Sequence, residues 1–456
     1  MPDSPTPKTV RRHTLGQLDA DARAALMQRP EADIGPFLEP AREIVDAVAR
    51  EGDAALLRFA RDYDKAEVAE GALKATPDDF ARARRDLAPK VQDAIAYAAE
   101  GIRRFHAQQM PAEMTWHEVR PGAWGGDRWR PIPSVACYVP RGKGAFPSVV
   151  MMTTIPAVVA GVDRIAVVTP PGPDGEIDAA TLVAAEHAGV ADVYKCGGAQ
   201  AVAAVAHGTE TVPRCAKLVG PGSPWVVAAK RLLADRIDPG TPAGPSESVI
   251  LADSSADGRL AGLDLVIESE HGPDSSAFLV TDSERVAAEA AAAIPGYWAR
   301  MGAERVGFSA TVLGGGSGGS GGIVLARDWD DALAFTNDFA PEHLEILSAE
   351  PFADLGRIEH AGEVLLGRHT PIVLGNFVLG PNAVLPTGAM ARTASPLSVF
   401  DYLKRTSVGY VTADGYAELA GPAQVLAEYE GFDGHALALS EVRDGLGAGR
   451  GSGGQG

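Results

Sequence analysis

"SVACYV" (residues 134–139) is the first of a run of short β-rich segments that alternate with helical ones, followed by "RIAVVTP" (164–170), "ADVYKC" (191–196) and "KLVGPG" (217–222). Such alternation predicts parallel strands joined by crossover helices. A second series follows, "SVILAD" (248–253), "AFLVTD" (277–282), "GIVLARD" (322–328), "HLEILS" (343–348) and "EVLLG" (363–367), so two α/β domains are expected. The break between them falls at "DPGTPAGPSE" (238–247), where Pro and Gly cluster without apolar periodicity. Upstream, residues from about 15 to 107 carry helical periodicity, and Thr76-Pro77 supplies an N-cap and a first-turn proline. Beyond about residue 385 the pattern turns helical again, and "GAGRGSGGQG" (447–456) has the composition of a disordered tail. The predicted organisation is a helical arm (1–125), two α/β domains (126–245 and 246–385) and a helical terminal segment (386–456).

A chain of 456 residues exceeds the size at which one core stops growing, and 46% hydrophobic with 22% charged residues suits a globular protein. Lys and Arg number 41 against 60 Asp and Glu, a formal charge of −19 that repels polyanions and argues against nucleic acid as a partner. The three cysteines form no C-x-x-C pair, which speaks against a disulfide framework and for a reducing cytoplasm. The first residues lack an apolar signal core, and the longest apolar stretch, "PSVVMMTTIPAVVAGV" (147–162), is broken by proline and threonines, so neither export nor a membrane span is expected.

Two Gly-rich stretches differ in meaning. "GGGSGGSGG" (314–322) imitates a dinucleotide fingerprint by composition, but a strand follows it where a helix is required, so it reads as a hairpin loop. "GPGSPWVVAAKRLLAD" (220–235) leaves a strand, turns, and opens a helix with Ser223 at the N-cap and Pro224 next. That arrangement presents bare N–H groups to a phosphate, although an ordinary strand-to-helix turn has the same signature.

The chemistry-bearing residues sit in four segments. In "VIESEHGPDSS" (266–276), Glu268 and His271 are three apart on one helix face, which is metal-ligand spacing; a helix ending in solvated charges before Gly272-Pro273 reads the same way. "APEHLEIL" (340–347) sets Glu342 and His343 at a strand entrance, where both serve one site only if the backbone bends. "GNFVLGPNAVLPT" (375–387) offers Asn376 and Asn382, and "EYEGFDGHA" (428–436) offers Glu430 and His435.

Taken together with "YVPRGKGAFPSVVMMTTIPAVVAGV", "CGGAQAVAAVAHGTETVP", "PAGPSE" and "LSVFDYLKRTSVGYV", these motifs arrive in an order that resembles histidinol dehydrogenase over almost the full chain. The resemblance implies a zinc-dependent, NAD-linked enzyme with incomplete Rossmann-like domains. Such an enzyme takes a primary amino alcohol through an aldehyde to a carboxylate, and works as a domain-swapped homodimer. It places Glu268, His271, Asn376 and His435 at metal-ligand positions, with His435 lent by the partner subunit. It places Glu342 and His343 as the acid/base pair, Ser246 and Glu430 at substrate contacts, and Tyr138, Gln200 and Ser223 at the cofactor. The chain departs from the family pattern where Glu268 replaces glutamine, Asn376 aspartate, Ala383 histidine and Ser223 asparagine, and where "RGK" (Arg141, Lys143) replaces a plainer turn. The first two changes relocate one negative charge without removing it. Losing the imidazole at 383 deprives a polar substrate group of a partner, which costs roughly 1–3 kcal/mol. Two substrates are therefore carried forward, histidinol itself and a different alcohol handled by the same chemistry; a non-catalytic binding protein is the third reading.

Overall fold

The structure, a computed structural model, describes residues 9–29, 34–141, 144–241, 244–314 and 320–443; Lys143, the middle of the 314–322 loop and the C-terminal tail lie outside them. The chain forms two compact units, Met1–Met110 with Pro131–Tyr402 and Pro111–Arg130 with Leu403–Gly456, a division that cuts across the four segments read from the sequence. Among the described residues the strands are β1 (Arg12–Thr14), β2 (Met114–Arg120), β3 (Ala123–Pro131), β4 (Ser134–Tyr138), β5 (Arg164–Thr169), β6 (Val193–Lys195) and β7 (Lys217–Val219). They continue with β8 (Glu247–Ala252), β9 (Ser276–Thr281), β10 (Ser320–Leu325), β11 (His343–Leu347), β12 (Glu363–Leu366) and β13 (Leu403–Val411). No helix is long and apolar enough to cross a membrane among these residues.

The larger unit carries both expected α/β series. One sheet has the order β6-β5-β4-β7 and the other β1-β10-β9-β8-β11-β12, and the strand pairs are parallel. Their apolar runs are continuous because both faces are covered: every residue of β4 and of β8 is buried. The N-terminal helices are no free arm. The helix Gly35–Glu51 buries Ala41, Ile44, Val45 and Val48 in the same core as Val202, Val205 and Val226, which belong to helices beside the first sheet. Thr76 caps its helix as expected, in a reciprocal capping box with Asp79.

Three expectations need correction. "GGGSGGSGG" connects the helix Ala303–Leu313 to β10, so it is not a hairpin loop between strands. The segment 386–456 is not helical throughout: β13 precedes the helices Ala413–Tyr429 and Asp433–Leu437 and joins the antiparallel β2–β3 hairpin in a three-stranded sheet. The hairpin itself begins inside the stretch read as a helical arm and runs past its end at residue 125, and β1, only three residues long, joins the second sheet beside β10.

Two local features bear on the rest of the molecule. Gly220, with φ of 109°, lets the chain leave β7 so close to β4 that a Cβ would lie 2.2 Å from the Tyr138 carbonyl oxygen. Within the second sheet, Glu345 in β11 faces Asp264 of the helix Gly258–Ser269, and both are buried. As two carboxylates they have no donor, so their oxygens stand unpartnered until one proton is shared between them. Burial first, then the Asp264 charge, pushes Glu345 from an ordinary 4.5 up to about 10, while burial pushes Asp264 to about 6.

Gly220→Ala should lower stability by about 1–3 kcal/mol, because alanine must either leave the positive-φ conformation or strike the β4 backbone. Urea unfolding measures it, and an unchanged midpoint contradicts the close approach. Glu345 binds a proton in the fold that the unfolded chain has already released, so its contribution to stability declines as pH rises from about 4.5 toward 10. Glu345→Gln removes that decline: between about pH 5 and pH 9 the urea midpoint should fall less in the variant than in the parent. Equal falls in both proteins sink the shared-proton account.

Candidate active site

The entrance to β11 brings Glu342 and His343 together. Ala340 takes a left-handed conformation with φ of 50° ahead of Pro341, and this turns the chain so that Glu342 and the first residue of β11 face a common space. His343 Nε2 lies 3.9 Å from Glu342 Oε1, and Glu342 Oε2 accepts the Glu247 backbone N–H at 2.9 Å. The bend required of the Glu-His pair is therefore built into the backbone.

Both side chains are buried, at 8% exposure for Glu342 and 3% for His343. Burial pushes the Glu342 carboxyl up to about 8, with Glu268 adding to the rise and His343 opposing it. Burial works against a charged His343, but Glu342, a hydrogen bond to Glu363 and the charge of Glu268 outweigh it and raise the imidazole to about 9. That bond runs from Nδ1 to Glu363 Oε2 at 3.0 Å. Ser246 stands immediately before Glu247, so the substrate-contact position adjoins the residue whose N–H holds Glu342.

Glu268, His271 and Asn376 also meet. Asn376, in the short helix Ile372–Phe377, donates from Nδ2 to Glu268 Oε1 at 2.8 Å, and His271 Nδ1 lies 3.1 Å from Glu268 Oε2. Glu268 is 1% exposed, and its charge reaches both Glu342 and His343, which joins this group to that pair. No three His, Cys, Asp or Glu side chains among the described residues converge tightly enough to hold a metal by themselves. The donor set is instead a carboxylate, an imidazole and an amide, a combination zinc accepts, and a buried carboxylate that disfavours ionisation of a neighbouring one is an environment a cation relieves. His435 and Glu430 are exposed at the end of the smaller unit, on and just before the helix Asp433–Leu437.

The positions expected at the cofactor lie around β4 and β7. The chain runs from β4 to β5 and β6 on one side, whereas β7 lies on the other, so the strand order reverses between β4 and β7. Open α/β sheets bind ligands outside the carboxyl ends of their strands at such a reversal. Tyr138 ends β4 there; its hydroxyl oxygen accepts the Gly198 N–H at 3.0 Å, and Gln200 sits in the first turn of the helix that Gly198 opens. Ser223 is the N-cap of the helix Pro224–Leu232, as expected, yet its side chain makes no capping bond.

Sequence reading passed over several supporting residues. Glu363 is an acid at the start of an otherwise apolar strand, an anomaly that could have marked it. Glu247 receives Arg29 at 3.1 Å and the Gly388 N–H at 2.7 Å. His106 lies in the helix Pro89–Gln108; its Nε2 meets Asn382 Nδ2 at 3.2 Å, and Asn382 also donates to Met152 O at 2.7 Å, which places half-buried Ala383. Arg141 donates to the Glu176 carbonyl at 3.3 Å.

The family model described as histidinol dehydrogenase matches residues 27–443. The chain is 60% identical over 432 residues to "Histidinol dehydrogenase homolog 2" of Mesorhizobium japonicum, covering 95% of this chain and 98% of that one. It is 45% identical over 427 residues to "Histidinol dehydrogenase" of Synechocystis, covering 94% and 98%. A crystal structure of histidinol dehydrogenase from Elizabethkingia anophelis superposes with a TM-score of 0.90 at 28% identity, over 96% of this chain and 99% of that one. By family model, by sequence identity over nearly its full length and by overall fold, this chain belongs to the histidinol dehydrogenase family.

Proposed function

We propose that this protein is a zinc-dependent, NAD-linked dehydrogenase that oxidises a primary alcohol through the aldehyde to the carboxylate. One observation carries the reading: a buried imidazole, His343, stands between two carboxylates and beside Glu268, so a base, a water-activating acid and a cation-binding carboxylate share one site. Once the ring is neutral, above its raised value of about 9, His343 Nε2 takes the hydroxyl proton as hydride leaves the alcohol carbon. Glu342, held by the Glu247 N–H and ionised above about pH 8, then takes a proton from water as it adds to the aldehyde, giving the hydrate that is oxidised a second time. Bound NAD, at Tyr138, Gln200 and Ser223, supplies the hydride acceptor. Bound zinc, held by Glu268, His271, Asn376 and a second copy's His435, supplies Lewis-acid polarisation of the substrate.

The same reading, following the family resemblance, takes Glu430 and His435 from a partner subunit; both are exposed. It keeps the protein in the cytoplasm and gives it no nucleic-acid or membrane partner. For the substrate, two observations favour an alcohol other than histidinol. Ala383 offers no imidazole to it, and identity is higher with a relative named a homolog (60%) than with one named histidinol dehydrogenase (45%). Histidinol remains the comparison substrate.

A panel of primary alcohols, histidinol included, followed by NADH production tests the reading; two NADH per alcohol consumed is the expected yield, and no NAD reduction with any member defeats it. His343→Ala should lower kcat by on the order of 10²–10⁴. The Asn376–Glu268 bond is reversible in sense, since Gln at 268 can donate to Asp at 376. Chelator competition on purified protein should find the double change Glu268→Gln with Asn376→Asp still binding one zinc per chain, and Glu268→Gln alone binding it more weakly. Equal affinity in all three proteins refutes the charge relocation.

A further inference from the structure

We propose, on the dehydrogenase reading above, that Glu363 is the positioning residue of His343: it holds the Nδ1–H tautomer, leaving Nε2 free as the base, and offsets the imidazolium that forms. Glu363 and His343 are paired residues at the starts of β12 and β11, so both side chains stand on one face of the sheet. Glu363 Oε2 and His343 Nδ1 are 3.0 Å apart and both residues are buried, so the ring has a single strong acceptor at Nδ1. A neutral imidazole carries its proton on one nitrogen only, and a carboxylate at Nδ1 draws it there. The other nitrogen then faces the Glu342 side with its lone pair available. When the substrate hydroxyl proton bonds to Nε2, the ring becomes cationic, and Glu363 is the hydrogen-bonded countercharge that makes this tolerable in a buried place; against the cost of burial, the Glu342 charge and then this pairing raise the imidazole above its ordinary range.

Glu363 has a second property that makes the role separable from mere packing. Its other oxygen, Oε1, is buried without a hydrogen-bond partner, and the residue lines a cavity of about 830 Å³ together with Phe105, Gln109, Thr241, Ser398 and Asp401. A carboxylate removed from this position therefore leaves a space that a small free carboxylate can enter.

Glu363→Ala and Glu363→Gln are compared with the parent by NADH production and by ¹⁵N NMR of histidine-labelled protein, with the His343 signals assigned from a His343→Ala spectrum. The expected result is a fall in kcat on the order of 10²–10⁴ in Glu363→Ala with KM little changed, restored in part by formate. Glu363→Gln should keep the parent's thermal stability, lose part of kcat and gain nothing from formate, because the amide fills the site. In the neutral ring, the parent should show Nδ1–H and Glu363→Ala a mixture. Parental kcat in Glu363→Ala overturns the role, as does an Nδ1–H tautomer that survives that change, whatever formate does. A parent that reduces NAD with no primary alcohol counts against the dehydrogenase reading alone, since the tautomer measurement needs no turnover. Should Glu363→Ala fail to fold, parental kcat in Glu363→Gln overturns the proposal in its place.

Discussion

The interaction on which the site depends is the burial of one imidazole among acids at the amino ends of β8, β11 and β12. Glu342, Glu363 and Glu268 all favour a positive His343, and burial disfavours Glu342 as an anion. Such a cluster survives only if every charge has a partner. Glu342 has the Glu247 N–H, Glu363 has the ring, Glu268 has the Asn376 amide, and Glu247 has Arg29. Removing any one partner leaves a buried charge uncompensated, which ties the conformations of four distant segments to one another. It also accounts for the left-handed Ala340: a conformation costing roughly 1–3 kcal/mol persists because the surrounding bonds over-determine it.

The two α/β lobes of the larger unit use opposite ends of their sheets. In the first, the residues suited to a cofactor lie beyond the carboxyl ends of β4 and β7, where parallel sheets generally bind ligands. In the second, the titratable groups lie at the amino ends, on the first residues of β8, β11 and β12. Chemistry at amino ends depends on the segments that lead into strands. Those segments here, "GPS" before β8 and "AP" before Glu342, are rich in residues that restrict or redirect the backbone.

Much of this was legible along the chain. The strand-and-helix alternation, the Thr76 cap, the Ser223-Pro224 helix start and the need for a bend before Glu342-His343 follow from local rules that depend on neighbours a few residues away. Misses share one cause. β13 and β1 are short or largely exposed strands whose partners are hundreds of residues distant, so no apolar alternation marks them. Glu363, Glu247, Glu345 and Asp264 are acids inside apolar surroundings, and periodicity treats such residues as interruptions instead of as a network.

By itself, the amino-acid order determined the two α/β series, the family likeness and the types of group available for proton and metal chemistry, because those reside in spacing and composition. Only the folded chain decided which groups meet: that Glu363 backs His343, that Asn376 donates to Glu268, and that Glu342 is held by a backbone N–H from another strand. The physical reason is that side-chain electrostatics acts over a few ångströms of space, and sheet register and helix packing bring together positions that the chain itself separates by 95 residues for Glu247 and Glu342 and by 108 for Glu268 and Asn376.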